Sequence, residues 1–507
     1  MPDRPPLAVL LALALSVLLA ALDQTIVATA LPTVAGELGS LDQLAWVVTA
    51  YLLAETVSMP IYGKLGDVLG RKRVLVGAVL LFLTGSALSG LAGSMLELIV
   101  FRALQGLGAG GLIVTAMAVI AELVPPKERA RYMSMIGGVF AVASVAGPLL
   151  GGLFVDQLSW RWVFYVNLPV GAAALAVIVA KLPASAPVDR RPLDVRGAAL
   201  LAACASALVL IASWGGTRYA WASPTVLTLA AVALATLVAL VAQERRAADP
   251  VLPLELFRIR AFSAAGASGF LVGMAMLGAV TFLPLYLQVV DGATATTAGL
   301  RMLPFVVGSL VAAAISSKRL GTAPRYKAYP VAGAVLVATG LLMLSRLDEH
   351  TSDAVAALDM VVTGLGIGLV MQVVILVAQN HAPRRHMGVA TSTVTFARSI
   401  GSAIGVAIFG AIFASRLAAE LASAPPAAQR VAGSGARLDP QQVHALPPAI
   451  HAEVIDAFSS ALQTTFAASG AFALTAVAAV LLLPRALQPG QEPADGAGPA
   501  RAGVATA

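Results

Sequence analysis

GKLGDVLGRKR, residues 63–73, lies between two long apolar stretches and carries five charged side chains. The rest of the chain is poor in charge, since only 12% of its 507 residues are Asp, Glu, Lys or Arg and 59% are hydrophobic. A soluble domain usually has about 25% charged residues, and a soluble fold could not bury so much apolar surface. The apolar stretches run for about 20 residues, the length of a helix that crosses a bilayer. The sequence therefore predicts an all-α integral membrane protein.

Fourteen apolar stretches are long enough to span a membrane. They begin near Leu7, Ala45, Val74, Leu96, Tyr132, Trp162, Asp194, Pro224, Phe262, Ala298, Tyr329, Val355, Val389 and Thr465. The first stretch runs into Asp23 and Thr25 without a convincing cleavage site, so we expect an uncleaved span rather than a signal peptide.

The distribution of basic residues predicts how these spans are oriented. With fourteen spans and both termini in the cytoplasm, 24 of the 33 Lys and Arg residues fall in cytoplasmic segments and 7 fall in outer segments. The remaining two, Arg102 and Arg398, lie inside spans. This bias follows the positive-inside rule, and removing one span would destroy it. The net charge of +7 is thus a feature of topology, and we expect no nucleic-acid partner.

The order of spans and connections divides the chain into parts. We predict an N-terminal six-helix bundle over 1–185, a linker with two extra transmembrane helices over 186–250, a C-terminal six-helix bundle over 251–487 with a long outer loop at 417–464, and a disordered cytoplasmic tail over 488–507. The single cysteine, Cys204, excludes an internal disulfide and a metal site built from cysteines.

Four sequence motifs connect the chain to a known family. Residues 22–32 read LDQTIVATALP, residues 102–108 read RALQGLG and residues 147–152 read GPLLGG. Together with residues 63–73 they resemble motifs of the major facilitator superfamily, in particular those of its drug:proton antiporters with fourteen transmembrane helices. The resemblance implies the fold of that superfamily, with two six-helix bundles and here two extra helices.

The resemblance also implies roles for two sets of residues. The first set, the latch residues, consists of Gly63, Asp67, Gly70, Arg71 and Lys72, and the second set, the antiporter helix motif, consists of Gly147, Pro148, Gly151 and Gly152. We interpret the first set as a conformational latch between helices, in which Asp67 can interact with Arg71 or with a helix N-terminus. The alternative, an ordinary basic loop facing the cytoplasm, leaves Asp67 unexplained. The second set is implied to seal the two halves in one state, and its alternative is simple tight packing.

Charged residues inside a bilayer are costly and need a reason. Asp23 in the first span and Arg102 in the fourth are predicted to lie at matching depths, which indicates a buried ion pair. The resemblance implies that this pair takes part in transport. The alternative is a static pair that only locks two helices together, because a buried pair is poor evidence for net stability.

Two further carboxyl groups are candidates for proton coupling or substrate binding. Glu55 falls near the middle of the second span without an obvious partner at helical spacing, and burial without a partner lets a carboxyl group bind protons at physiological pH. It could bind a proton or a cationic substrate, or it could be a passive, hydrogen-bonded group. Asp359 lies near the outer end of the twelfth span, where contact with water at the interface is the alternative.

The sequence thus predicts a proton-coupled multidrug exporter of the bacterial cytoplasmic membrane, an antiporter for amphipathic and cationic small molecules that works by alternating access. The alternative is a dedicated exporter of a lipid, siderophore, amino acid or self-made antibiotic. All five histidines lie in predicted loops and no phosphate-binding loop is present. We therefore expect no metal, no cofactor and no catalysis, and a monomer whose partners are substrate, protons and membrane lipid.

Overall fold

The computed structural model describes residues 6–38, 43–183, 194–216, 218–320, 326–423 and 446–484. Within these ranges the chain consists of helices and their connections, apart from one isolated bridge between Gly215 and Tyr219. The described chain is therefore all-helical, as the sequence predicts. Seventeen α-helices follow one another along the described chain, and we number them in order.

The first half comprises α1 (Leu7–Leu38), α2 (Leu44–Leu69), α3 (Arg71–Leu91), α4 (Met95–Leu123), α5 (Pro126–Gln157), α6 (Trp162–Tyr165) and α7 (Asn167–Lys181). The extra pair is α8 (Val195–Trp214) and α9 (Pro224–Glu244). The second half comprises α10 (Leu254–Arg258), α11 (Arg260–Leu285), α12 (Ala295–Arg301), α13 (Leu303–Leu320), α14 (Ala328–Leu344), α15 (Asp353–His381), α16 (Met387–Ser423) and α17 (Pro448–Leu481). A π-turn (Tyr286–Val290) follows α11, and a 3₁₀ turn (Arg384–His386) precedes α16.

Twelve helical segments of the described chain are long and apolar enough to cross a membrane. Two helices that the sequence predicts to span are not among the twelve. The helix α2 carries Glu55, Lys64 and Asp67, and α14 has only 17 residues. A helix nevertheless lies at or directly after each of the fourteen predicted positions. The structure thus shows a multi-pass membrane protein.

Helices extend into two segments that lie outside the predicted spans. Of residues 63–73, all but Gly70 belong to α2 or α3, and Gly70 makes the turn with a φ of 90°, which L side chains rarely adopt. The predicted outer loop 417–464 is shortened from both sides, because its alanine-rich ends favour helix and continue α16 to Ser423 and α17 from Pro448. Residues 424–445 and the predicted tail 488–507 lie outside the described residues.

The two halves and the extra pair meet along a few helix contacts. In the first half α2 and α3 pack on α4, and α1 packs on α5 and α7. In the second half α11 packs on α16, while α13 and α14 pack on α15. The halves meet where α2 contacts α16 and where α5 contacts α13. The extra helix α8 lies against both α2 and α16, through a cluster that includes Ala205, Val209 and Ile400.

Glycines let the helices of the first half approach closely. A Cβ atom on Gly106 of α4 would lie 2.3 Å from the backbone oxygen of Tyr51 on α2. A Cβ atom on Gly85 of α3 would lie 2.5 Å from the backbone nitrogen of Gln105 on α4. Small residues at such crossings allow tight helix packing in membranes. This packing brings the polar side chains of α1, α2 and α4 together at the centre of the first half.

We expect Gly106→Ala to lower the melting temperature of the purified protein in detergent, because the added methyl group overlaps the backbone of α2. Overpacking of this kind typically costs about 1–3 kcal/mol. Gly77→Ala on α3 is the matched control, since no atom lies within 4 Å of its added Cβ and Ala favours helix over Gly by about 1 kcal/mol. Equal melting temperatures for the two variants would contradict the close crossing.

Candidate functional site

The centre of the first half contains a buried ion pair between Asp23 of α1 and Arg102 of α4. Their side chains are 0% and 1% exposed. Arg102 Nη1 donates to Asp23 Oδ2, and Gln105 Nε2 donates to Asp23 Oδ1 over 2.8 Å. Asn167 Nδ2 of α7 donates to the same Oδ1 over 3.2 Å. The structure thus brings together the pair that the sequence predicts, and it encloses the carboxylate with donors from two helices.

Arg102 is held by more than the carboxylate of Asp23. Its guanidinium carbon lies 4.1 Å from the ring centre of Tyr51, a distance at which a cation interacts favourably with an aromatic face. Nη1 also donates to Gln105 Oε1 over 2.8 Å, and Nε donates to the backbone oxygen of Val47 over 3.4 Å. Both charges of the pair therefore have several partners, which is the condition for stable burial of an ion pair.

Glu55 of α2 is buried beside this cluster and is 4% exposed. Gln24 Nε2 donates to Glu55 Oε2 over 2.6 Å, so Glu55 has the hydrogen-bond partner that the sequence analysis did not find. Gln24 directly follows Asp23 in α1, so α1 carries one buried carboxyl group and, at the next residue, the hydrogen-bond donor to the other. Arg398 of α16 acts on Glu55 electrostatically from the other half. Glu55 thus has a neutral partner in its own half and a cation across the boundary between the halves.

Asp359 is buried within the protein, with an exposed fraction of 3%. It lies in α15 of the second half, where the cation Arg346 acts on it electrostatically. Within the described ranges, none of the hydrogen bonds of Asp23 and Glu55 reaches its carboxyl group. The structure therefore does not place Asp359 in the same cluster as the other candidate acids.

Asp67 joins the two halves at the end of α2. Its Oδ1 accepts from the backbone nitrogen of Gly388 over 3.1 Å, and its Oδ2 accepts from that of Val389 over 3.2 Å. These N–H groups belong to the first turn of α16, where a helix has unpaired donors and a partial positive charge. Arg71 Nη2 lies 3.0 Å from Asp67 Oδ1. Both partners that the sequence analysis allowed for Asp67 are therefore present at once.

The other latch residues have distinct contacts around Asp67. Arg71 also binds Glu122 of α4 over 2.9 Å, and Lys72 Nζ donates to the backbone oxygens of Val179 and Leu182. These bonds tie α3 to α4 and to the end of α7, inside the first half. Gly63 permits close approach of the halves, since a Cβ atom there would lie 2.1 Å from Ser392 Oγ. Of the latch residues, Gly63 and Asp67 thus contact α16.

The motif of α5 packs within the first half. A Cβ atom on Gly147 would lie 2.0 Å from Thr25 Oγ1, and one on Gly151 would lie 1.9 Å from Thr29 Oγ1, both on α1. A Cβ atom on Gly152 would have no atom within 4 Å, and α5 continues through Pro148. The structure thus supports tight packing of α5 on α1, because these glycines face α1 and not the second half.

A cavity of about 770 Å³ lies beside the latch and is lined by charged residues of both halves. Among its lining residues, Lys64 of α2 forms an ion pair with Asp249, which lies between α9 and α10. Burial lowers the pKa of the His386 imidazole, and the nearby cations Arg385 and Lys64 lower that pKa further. We call this end of the molecule, with the latch and residues 245–253, the charged end.

Sequence reasoning missed the neutral members of the site and one ion pair. Gln24, Gln105 and Asn167 are polar residues inside predicted spans, and that unusual position was the available signal. Lys64 and Asp249 are 185 positions apart in the chain, and no local pattern connects them. Arg398 was found inside a span, but its neighbour Glu55 depends on how α2 and α16 pack.

Two helical halves that meet around buried charges are typical of membrane transporters. A model of the Major Facilitator Superfamily matches residues 13–406, so the chain belongs to that superfamily. Residues of this chain are 45% identical to an MFS-type transporter of Mycobacterium tuberculosis over 93% of this chain and 68% of the relative. They are 39% identical to the multidrug transporter protein MdtP of Bacillus subtilis over 77% of this chain and 72% of the relative.

Solved structures agree on the fold. The human organic anion transporter MFSD10 superposes with a TM-score of 0.66 over 94% of this chain and 100% of that chain, at 16% identity. At this identity the likeness shows the fold alone. The fold and the relatives together define a transporter for small molecules, with multidrug efflux proteins among its relatives.

We expect Asp67→Asn to loosen the contact between α2 and α16, because a hydrogen bond to a charged group contributes about 1.5–3 kcal/mol. Cys204→Ala removes the single cysteine, and Ser392→Cys then places a thiol at a position with 0% exposure beside Gly63. In lipid nanodiscs this thiol should react with a polar maleimide about tenfold faster when Asp67→Asn is present, a factor that corresponds to about 1.4 kcal/mol.

Glu122→Gln is the matched control for the latch. Glu122 also binds Arg71, but it lies on α4 and its side chain is 43% exposed. The control should leave the reaction rate of the thiol unchanged. An equal acceleration by both substitutions would show that Arg71, and not the cap on α16, holds the halves together.

Proposed function

We propose that the protein is a proton-coupled multidrug exporter that exchanges protons for amphipathic and cationic small molecules. The observation that carries this proposal is the pair of buried carboxyl groups inside the first half, where Asp23 of α1 binds Arg102 and the next residue, Gln24, donates to Glu55. A carboxyl group in a low-dielectric interior can change its charge by binding a proton. A cationic substrate and a proton can then compete for the same negative charge, which is the requirement for antiport.

Alternating access would couple this competition to movement. Substrate binds from the cytoplasm or the inner leaflet while an acid is deprotonated, and protonation from the outside expels it. The latch at Asp67 supports this cycle, because its bond to α16 connects the halves and must break for the charged end to open. Asp23 and Glu55 are both candidates for the coupled proton, and Asp359 is a third candidate in the second half.

We further propose fourteen spans with both termini and the charged end in the cytoplasm. The excess of Lys and Arg in the corresponding segments supports this orientation. In this topology α2 and α14 join the twelve apolar helices as spans. The location would be the cytoplasmic membrane of a bacterium, and the protein would act as a monomer driven by the proton gradient alone. A dedicated exporter of a lipid, siderophore, amino acid or self-made antibiotic is the alternative, and counterflow with a panel of dyes and lipids distinguishes the two.

Asp23→Asn should abolish proton-driven efflux in membrane vesicles, because the residue can no longer change its charge. The protein should remain in the membrane and should still catalyse downhill exchange of substrate, which needs no proton. Ser16→Ala is the control on the same helix, since Ser16 is buried and bonds only within α1. Full proton-driven efflux by the Asp23→Asn variant would remove Asp23 from the mechanism.

Glu55→Gln should chiefly reduce the transport of cationic substrates. Glutamine keeps the size of the side chain and can still bond with Gln24, but it removes the negative charge that attracts a cation. The measurement is efflux of a cationic and a neutral dye of similar size from the same vesicles. An equal loss for both dyes would argue against recognition of charge by Glu55.

A further inference from the structure

The extra pair of helices has two carboxyl groups at the charged end that the transport site does not use. Asp194 precedes α8 and accepts from the backbone nitrogen of Gly197 over 2.9 Å and from Gln243 Nε2 over 3.0 Å, both through Oδ1. Glu244 is the last residue of α9, and its Oε2 accepts from the backbone nitrogen of Leu252 over 3.1 Å. One oxygen of each carboxyl group is therefore satisfied by these bonds.

The second oxygen of each carboxyl group is buried and has no hydrogen-bond donor within the ranges that the structure describes. These atoms are Asp194 Oδ2 and Glu244 Oε1, and Glu244 as a whole is only 5% exposed. Both atoms crowd the same point beside α8, since a Cβ atom on Gly197 would lie 2.5 Å from Asp194 Oδ2 and 3.1 Å from Glu244 Oε1. Two buried acceptors thus lie close to the same point beside Gly197, and neither has a donor among the described residues.

A single proton satisfies both acceptors. Two carboxylates near one point repel each other, and a proton on one of them allows it to donate to the other. The charged groups that act on Glu244 are Asp194 from α8 and Lys64 from α2, and residues 245–253 add the backbone N–H groups of Val251 and Leu252. Lys64 is already paired with Asp249, so it does not neutralise Glu244 directly.

We propose that Asp194 and Glu244 form a proton-binding site at the charged end, with one proton shared between Asp194 Oδ2 and Glu244 Oε1. The proton comes from the adjacent aqueous phase and returns to it, so no other reactant is needed. The site lies on the extra helices and is separate from Asp23 and Glu55.

Occupancy of this site controls the connection between α9 and α10. The hydrogen bond from the backbone nitrogen of Leu252 to Glu244 Oε2 holds residues 245–253 against the end of α9. Asp249 in the same segment binds Lys64, which lies three residues before Asp67 of the latch. Loss of the shared proton leaves two facing negative charges, which push Glu244 away from Asp194 and weaken its bond to Leu252. Alkaline pH at the charged end thus frees the segment that braces the latch. The consequence for transport rests on the function proposed above, whereas the proton site itself does not.

Infrared difference spectroscopy of the wild-type protein in lipid nanodiscs tests the shared proton, because a protonated carboxyl group has a C=O band distinct from that of a carboxylate. Glu244→Gln should remove one protonated-carboxyl band at neutral pH. Glu255→Gln is the matched control, since Glu255 is exposed and lines the same cavity, and it should leave the band unchanged. A spectrum of the Glu244→Gln variant with the full wild-type band intensity would overturn the proposal, and would indicate that the two oxygens are bridged by water instead.

Asp194→Asn provides a second variant should Glu244→Gln fail to fold. Asparagine caps helices as well as aspartate does, so α8 should keep its first turn while the shared proton loses its acceptor. The same band should disappear or shift, and an unchanged band again overturns the proposal. Failure of the two proposals can be told apart. A band that Glu244→Gln removes, in a protein whose wild type shows no proton-driven efflux, supports the site and contradicts the proposed function.

Hydrogen exchange at the amide of Leu252 tests the link to residues 245–253. After correction for intrinsic exchange, this amide should exchange about fivefold faster in the wild type at alkaline pH than at acidic pH, the factor that one ordinary hydrogen bond contributes. The Glu244→Gln variant should show no such change, because its side chain has no proton to lose. A wild-type amide with pH-independent protection would overturn the control of this segment by the site.

Discussion

A charge inside an apolar helix bundle must be neutralised where it lies, and this constraint fixes the centre of the first half. Each charged side chain in a bilayer centre costs about 2.5–3.5 kcal/mol on insertion scales. Asp23 meets this cost with Arg102, Gln105 and Asn167. These bonds require that the face of α1 that carries Asp23 is turned towards α4 and α7. The glycines at the helix crossings therefore serve two purposes, because the close approach of the helices both fills the core and lets the polar side chains reach one another.

The same constraint acts at the boundary between the halves with a different result. Asp67 neutralises the first turn of α16 in the other half, and Arg129 donates to Asn380 over 3.0 Å at the same end. The bonds of Asp23 survive any rigid movement of the halves, because all of its partners lie in the first half. The bonds of Asp67 do not survive such a movement. The Asp23 cluster is thus suited to keeping a charge buried in every conformation, whereas the bonds of Asp67 form only when the two halves are close together at this end.

The sequence predicts those features of the structure that depend on positions within one helix, and it predicts less well those that depend on which helices pack together. The Asp23–Arg102 pair could be predicted because the rise of a helix per residue fixes the depth of each residue in the membrane. Two opposite charges at the same depth lower the cost of burial by pairing. The partners of Asp67 could be predicted because a carboxylate near helix ends has few options. The face of a helix is harder to predict, since glycines four residues apart define a face but not its neighbour. For this reason the motif at Gly147 could not be assigned to α1 or to the second half, and the number of spans remains a proposal at α2 and α14.

The extra pair of helices poses a mechanical problem, because α8 contacts both α2 and α16 and could block any movement between them. The nature of its contacts offers a solution. Along the middle of α8, Ala205 and Val209 meet Ile400 through apolar surface, whose contacts have no preferred direction. At the charged end the contact with α2 is directional, because Lys64 forms an ion pair with Asp249. In the proposed alternating access, apolar contacts along the middle of α8 would let it shift against α2 and α16, while the ion pair keeps the end that carries the proposed proton site in place.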